Sequence, residues 1–351
     1  MTSRERILCA MDLETPDRVP VTPWGLGHVP EDSEWGQRLI KECDPFLSKR
    51  VAGGDWFLGT AVKSHAEDRG DAMSWSVIET PLGDLERAIR RTNITSAQMV
   101  FACESADDIE KLLSIPYEPP VVDASEFLAY RDKIGGDGLP TVGFSNIGAV
   151  PARYFSPVDY CLLWIENRDA FMELLRVAAE RFYPWVEQCC LAGVDVFRCV
   201  GGEYASTQLG PEAFDLTMRD FDRPMVDIMH EHGAVCYYHN HGVMDEYLES
   251  LADIGIDFLD PLETPPWGDV TLAEAKARIG DRVCLVGNLD DMEVIEKVDG
   301  GTIEQIAEER ILEGGPDGFC LGGTASGTYT EVAAANFVRM VEVSKRMAAG
   351  S

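Results

Sequence analysis

Two histidines one residue apart, His239 and His241, close the stretch Gly233-Ala234-Val235-Cys236-Tyr237-Tyr238. A short apolar run that opens at a glycine reads as a buried strand. Imidazoles at the first and third positions of its C-terminal end can bring two ring nitrogens to one point. Far downstream, Cys320 in Gly318-Phe319-Cys320-Leu321-Gly322-Gly323 offers a thiolate at the end of another apolar run. Imidazole and thiolate are both zinc ligands, and three protein ligands with an open fourth position describe a catalytic zinc site. The competing reading is a core thiol and two polar residues at the mouth of a core. Glu203, after Gly201-Gly202, adds a carboxylate that could ligate a metal, protonate a leaving group, bind a substrate cation, or sit solvated in a loop.

Whether these groups meet depends on the elements that carry them. The N-terminal third predicts a helix from Ser3 to Leu13 capped by Ser3, a strand over Asp17–Trp24, mixed helix and loop to about residue 75, and two strands, Ser74–Thr80 and Gly83–Ala88, around a Pro81-Leu82-Gly83 turn. From about residue 117 apolar strands alternate with helices. Strands at Thr141–Phe144, Gly193–Val200, Gly233–Cys236, Ile256–Leu259, Val283–Val286 and Gly318–Leu321 are separated by helices such as Arg168–Leu191, Pro211–His232, Met244–Ile254 and Thr302–Leu312. Strands this apolar are buried on both faces, which means parallel pairing with helices outside. No GxGxxG follows the first strand, so a (β/α)8 TIM-type barrel is expected, as a single domain over residues 1–351 with N-terminal additions.

In such a barrel catalytic groups stand at the C-terminal strand ends. Those ends carry Asn146, Glu203, His239 with His241, Glu263, Asn288 with Asp290, and Cys320, whereas the opposite ends carry turn residues such as Gly138, Gly193 and Gly255. That asymmetry argues for an enzyme. Asn146, Tyr204, Glu263, Asn288 and Asp290 are candidate substrate contacts. Trp267 and Trp24 could stack on a substrate ring or serve as core and lid.

A net charge of −31 repels nucleic acid and anionic membranes. No apolar run is long enough to cross a bilayer, and the charged N-terminus lacks an apolar signal core, which predicts a cytoplasmic protein. Ten cysteines without a CxxC pattern, most of them inside apolar runs, fit a reduced compartment.

The chain resembles the uroporphyrinogen decarboxylase superfamily, and especially its zinc-dependent, corrinoid-linked methyltransferase branch. The resemblance runs through Arg18-Val19-Pro20-Val21, Glu79-Thr80-Pro81-Leu82-Gly83, Gly201-Gly202-Glu203-Tyr204, Gly287-Asn288-Leu289-Asp290 and Cys320. It implies a zinc ion held by His239, His241 and Cys320, with His241 standing where that branch carries a cysteine. It also implies methyl transfer between a small O-, N- or S-methyl compound and cobalamin supplied by a corrinoid carrier protein. The Asp227-Ile228-Met229-His230-Glu231-His232-Gly233 stretch has the wrong spacing for a corrinoid-binding signature, so the cobalamin is expected on another polypeptide. The Arg-Gln-Ala-Gly-Arg segment that holds porphyrinogen carboxylates in the decarboxylases has no counterpart near residues 18–50. A decarboxylase or lyase on the same barrel, and a non-catalytic barrel acting as a binding subunit, are the alternatives. A homodimer is left open.

Overall fold

The apolar strands do pair in parallel around a closed ring. A computed structural model describes residues 1–70, 72–92, 96–324 and 327–350. The ring strands are β1 (Val21–Thr22), β2 (Phe46–Lys49), β7 (Leu139–Ser145), β8 (Val196–Val200), β9 (Val235–His239), β10 (Phe258–Asp260), β11 (Cys284–Leu289) and β12 (Phe319–Gly323). They follow the order β1-β12-β11-β10-β9-β8-β7-β2, and a parallel bridge between Trp24 and Phe46 joins the two edges. The barrel expectation holds.

Alternation along each strand separates two cores. On β9, Tyr237 belongs to the cluster inside the ring, while Cys236 and Tyr238 belong to the larger cluster beneath the surrounding helices. Inside, Phe46 meets Tyr237 and Phe258 edge-on at centroid distances of 4.7 and 5.6 Å. Each such phenylalanine, fully buried, contributes about 1.5–3 kcal/mol. Helix α1 (Ser3–Met11) closes the lower end by adding Ile7 and Ala10 to the same cluster. Its cap is Thr2 rather than Ser3: Thr2 Oγ1 accepts from the Glu5 N–H at 3.2 Å and Glu5 Oε2 accepts from the Thr2 N–H at 2.8 Å. Buried Asp44 anchors this end, accepting from Arg6 at 2.6 Å, Arg18 at 2.7 Å and the Val21 N–H at 2.9 Å.

Three features depart from expectation. The first barrel strand is two residues long because Pro20 and Pro23, which cannot donate to a ladder, flank it. The second barrel strand, Phe46–Lys49, lies where mixed helix and loop was expected. The hairpin forms as read, with Ile78 opposite Leu85, but as the centre of a four-stranded antiparallel sheet. Its strands are β3 (Lys63–Glu67), β4 (Met73–Glu79), β5 (Leu85–Arg91) and β6 (Ser96–Val100), in that order. The Ile78 and Leu85 side chains join the outer core of the barrel.

Candidate active site

The upper rim is built from the residues that follow the parallel strands. His239 is the last residue of β9 and pairs in register with Asp260, the last of β10. Its Nδ1 lies 2.8 Å from Asp260 Oδ1, with both side chains buried. Burial lowers the His239 pKa below the ordinary histidine value although the Asp260 carboxylate opposes it. Asp260 is held below the usual carboxylate range, because His239 and Arg198 outweigh the cost of its own burial. The imidazole is therefore neutral and its tautomer is set by Asp260.

His241 lies one step outward, its ring 4.4 Å from the His239 ring and nearly perpendicular to it. Its Nδ1 lies 3.0 Å from Glu263 Oε1, and that hydrogen bond raises its pKa. The second Glu263 oxygen accepts from the Gly242 N–H at 2.8 Å. Each histidine is thus oriented through Nδ1 by a carboxylate on the next strand end. Neither Nε2 has a hydrogen-bond partner among the described residues, and carboxylate-oriented imidazoles of this kind suit a metal or a reacting group.

Glu203 opens a one-turn helix, Glu203–Ser206, just beyond β8. Its Oε2 is buried without a hydrogen-bond partner among the described residues. Burial raises its pKa, while the charges of His241 and Arg198 pull the other way. The approach is tight, since a Cβ at Gly202 would overlap the Asn240 Oδ1 and touch the Tyr238 hydroxyl. Glu203, Tyr204, Gln208, His241, Glu263 and Trp267 line a cleft of about 390 Å³. A second cleft of about 420 Å³ shares Glu263 and Trp267 and extends over Asn288, Asp290 and Thr324. Trp267 stands 67% exposed on the rim between them.

Not every expected residue reaches this mouth. Cys320 is the second residue of β12 and sits in the lower interior cluster with the first residues of four other strands, Phe46, Leu139, Phe258 and Cys284. Its Sγ lies 3.9 Å from Cys284 Sγ, and burial lifts its pKa far above the ordinary thiol value. The end of that strand is Gly322-Gly323, followed by Thr324. Among the described residues no group of three or more His, Cys, Asp or Glu side chains could hold a metal ion. The set His239, His241 and Cys320 therefore does not fit a zinc ion, because Cys320 stands too early on its strand. Asn146 is also turned away. It lies behind the sheet, donating to Tyr238 Oη at 3.0 Å and Asp222 Oδ2 at 3.2 Å and accepting from the Ala149 N–H at 3.1 Å. Asp290 caps the following turn through the Met292 and Glu293 N–H groups, both at 2.8 Å, and Asn288 donates to the Leu262 carbonyl at 3.2 Å. Ser326, in the glycine-rich loop after Cys320, lies outside the described residues.

Two residues of the site escaped the sequence reading. Asp260 was passed over for Glu263, three residues on. Arg198 looked like part of an apolar strand, yet its inward position on β8 puts a guanidinium beneath His239. A charged residue in the middle of Val196-Phe197-Arg198-Cys199-Val200 was the available signal.

Comparison with known proteins agrees with this architecture. The family model described as uroporphyrinogen decarboxylase (URO-D) matches residues 94–347. Two curated relatives are methylcobamide:CoM methyltransferases MtaA. The one from Methanosarcina barkeri (strain Fusaro / DSM 804) is 28% identical over 328 residues, and the other, from Methanosarcina barkeri, is 25% identical over 329 residues. Each alignment covers 90% of this chain and 90% of the relative. The solved structure of a methyltransferase from Methanosarcina mazei superimposes with a TM-score of 0.64 at 16% identity, covering 99% of both chains. The chain belongs to the uroporphyrinogen decarboxylase family, where its curated relatives are methyltransferases.

Proposed function

We propose that the protein is a methyltransferase that moves a methyl group between a small O-, N- or S-methyl compound and a corrinoid carried by a partner protein. The observation that carries this reading is the rim cluster of His239, His241 and Glu203, two carboxylate-oriented imidazoles beside a buried carboxyl of raised pKa. Relatives aligned over nine-tenths of the chain and named for methylcobamide chemistry support it.

The corrinoid supplies the group that donates or accepts the methyl. In the demethylating direction the bond from methyl carbon to heteroatom breaks, the heteroatom keeps the electron pair, and it needs a proton. Glu203 is suited to hold that proton, because burial favours its uncharged form. In the opposite direction the same carboxylate takes a proton from the thiol, amine or hydroxyl that receives the methyl. His239, neutral and with Nε2 unengaged, can orient the thiol, amine or hydroxyl that receives the methyl by accepting a hydrogen bond from it, while Glu203 takes the proton. Tyr204, Gln208 and Trp267 shape the cleft around the small compound. Zinc is assigned no step, since the donor set inferred for it does not converge.

The test incubates the purified protein with cob(I)alamin and a panel of methyl ethers, methylamines and methyl thioethers, then with methylcobalamin and the corresponding acceptors. Spectral conversion of the corrinoid that depends on one compound and on the protein is expected. Absence of conversion in both directions, for the free corrinoid and for a carrier-bound one, would refute the reading.

A further inference from the structure

Asp260 and Glu263, the two carboxylates that orient the histidine pair, stand on one short turn but are held in different ways. Asp260 is the last residue of β10 and is fixed by the ladder, in register with His239 and accepting from the Asn240 N–H at 2.9 Å. Glu263 lies beyond the strand. Its place is set by the two residues between, Pro261 and Leu262.

Leu262 has a φ of +55°, a left-handed conformation that the Cβ of any residue but glycine opposes. A leucine stays there only when its surroundings over-determine it. Its side chain is fully buried in the outer core. The end of β11 supplies the rest of the hold. Asn288 Nδ2 donates to the Leu262 carbonyl at 3.2 Å, and Asn288 is itself buried. One residue earlier, Gly287 passes so close that a Cβ there would stand 2.6 Å from the Pro261 oxygen. β10 and β11 run side by side, with Phe258 opposite Cys284 and Leu259 opposite Leu285, which brings Gly287 and Asn288 level with the turn. Glycine admits the approach and asparagine grips the turn.

The consequence reaches His241 and not His239. With Leu262 left-handed, Glu263 Oε1 comes within 3.0 Å of His241 Nδ1 and Oε2 takes the Gly242 N–H at 2.8 Å. A Leu262 relaxed to negative φ would rotate the following peptide and carry Glu263 away from both. Asp260 would remain in its ladder.

We infer that Asn288 is a positioning residue: by holding Leu262 left-handed it sets Glu263 against His241 and so fixes the second imidazole of the site. The inference rests on the methyl-transfer reading for what His241 does, but not for how it is held.

Crystal structures and methyl-transfer rates of the full-length wild type, Asn288→Leu and the double variant Asn288→Leu/Leu262→Gly test this. Asn288→Leu keeps the bulk and removes the N–H. Leu262 is expected to leave the left-handed region and Glu263 to leave His241, while His239 and Asp260 stay paired. The rate should fall about ten-fold. Glycine is left-handed without strain, so adding Leu262→Gly should return Glu263 to His241 and recover most of that rate, although packing is lost. A purely structural loss would deepen with the second substitution instead. Asn288→Ala carries the same comparison if thermal unfolding shows that the leucine variant does not fold. An unmoved Leu262 and Glu263 in the single variant, joint loss of both histidine–carboxylate pairs, or a double variant with Glu263 no closer to His241 would overturn the inference. A wild type that transfers no methyl group would remove the functional reading and leave the structural comparison to decide the inference.

Discussion

His239 Nδ1 and Asp260 Oδ1 face each other at 2.8 Å from the last residues of adjacent parallel strands. The strand register makes the pair unavoidable, and burial removes water as a competing partner. The imidazole is held neutral with its proton on Nδ1, so Nε2 is left with a lone pair for chemistry.

Asp260→Asn should break this arrangement while conserving volume. The amide can face Nδ1 as donor or acceptor, so the tautomer is no longer dictated. Methyl-transfer rate is expected to fall by about 10–100-fold, the usual effect of removing a carboxylate that orients an imidazole. Nitrogen NMR of the labelled ring should show Nδ1–H as the dominant tautomer in wild type and a mixture in the variant. An unchanged tautomer with unchanged rate would contradict the role given to Asp260.

Glu203→Gln removes the proton carried near His241. Because the folded pKa is raised, Glu203 is protonated to a higher pH than a free glutamate, and demethylation should be fastest below that pKa and decline above it. The glutamine variant should lose about 10²–10⁴ in rate together with this alkaline decline. A variant that keeps the wild-type pH profile would assign the proton to another group.

Cys320→Ala is expected to behave as a core truncation. The thiol packs on Cys284 in the lower cluster, so the variant should lose roughly 1 kcal/mol of stability, in line with removal of a small buried group. Methyl transfer should stay within two-fold of wild type. A ten-fold drop would return Cys320 to the site.

Asp222 gives a stability test away from the rim. It lies fully buried behind β9, accepting from Tyr238 Oη at 2.7 Å and from Asn146, and burial pushes its pKa up from 3.8 to about 7. The folded state therefore favours the protonated acid. Its contribution is fully present below the unfolded value and is lost as pH rises to about 7. Those roughly three pH units correspond to about 4 kcal/mol at 1.36 kcal/mol each. Asp222→Asn should lack that loss between about pH 4 and pH 7, read as the difference in unfolding free energy from wild type.

The barrel was legible because its later strands are continuous apolar runs separated by helices, a pattern that only parallel pairing satisfies. Phe46–Lys49 was not, since four residues beside Pro45 carry too little periodicity to separate strand from loop. At the site, the histidine pair could be read from its place at a strand end. Cys320 misled because a strand end in sequence is not a fixed height in a barrel: standing three positions before the end of β12 puts the thiol among the first residues of neighbouring strands. Arg198 and the use of Asn146 by Asp222 and Tyr238 depend on which face each side chain takes, which only the closed ring decides.

The most direct measurement of the central claim is corrinoid methylation followed by visible absorbance, with wild type, His239→Ala and Glu203→Gln run side by side. Wild type is expected to convert cob(I)alamin to methylcobalamin with at least one small methyl compound, and both variants to lose at least 10²-fold. Release of carbon dioxide from a carboxylated substrate with no methyl transfer in either direction, or transfer that both variants sustain, would contradict it.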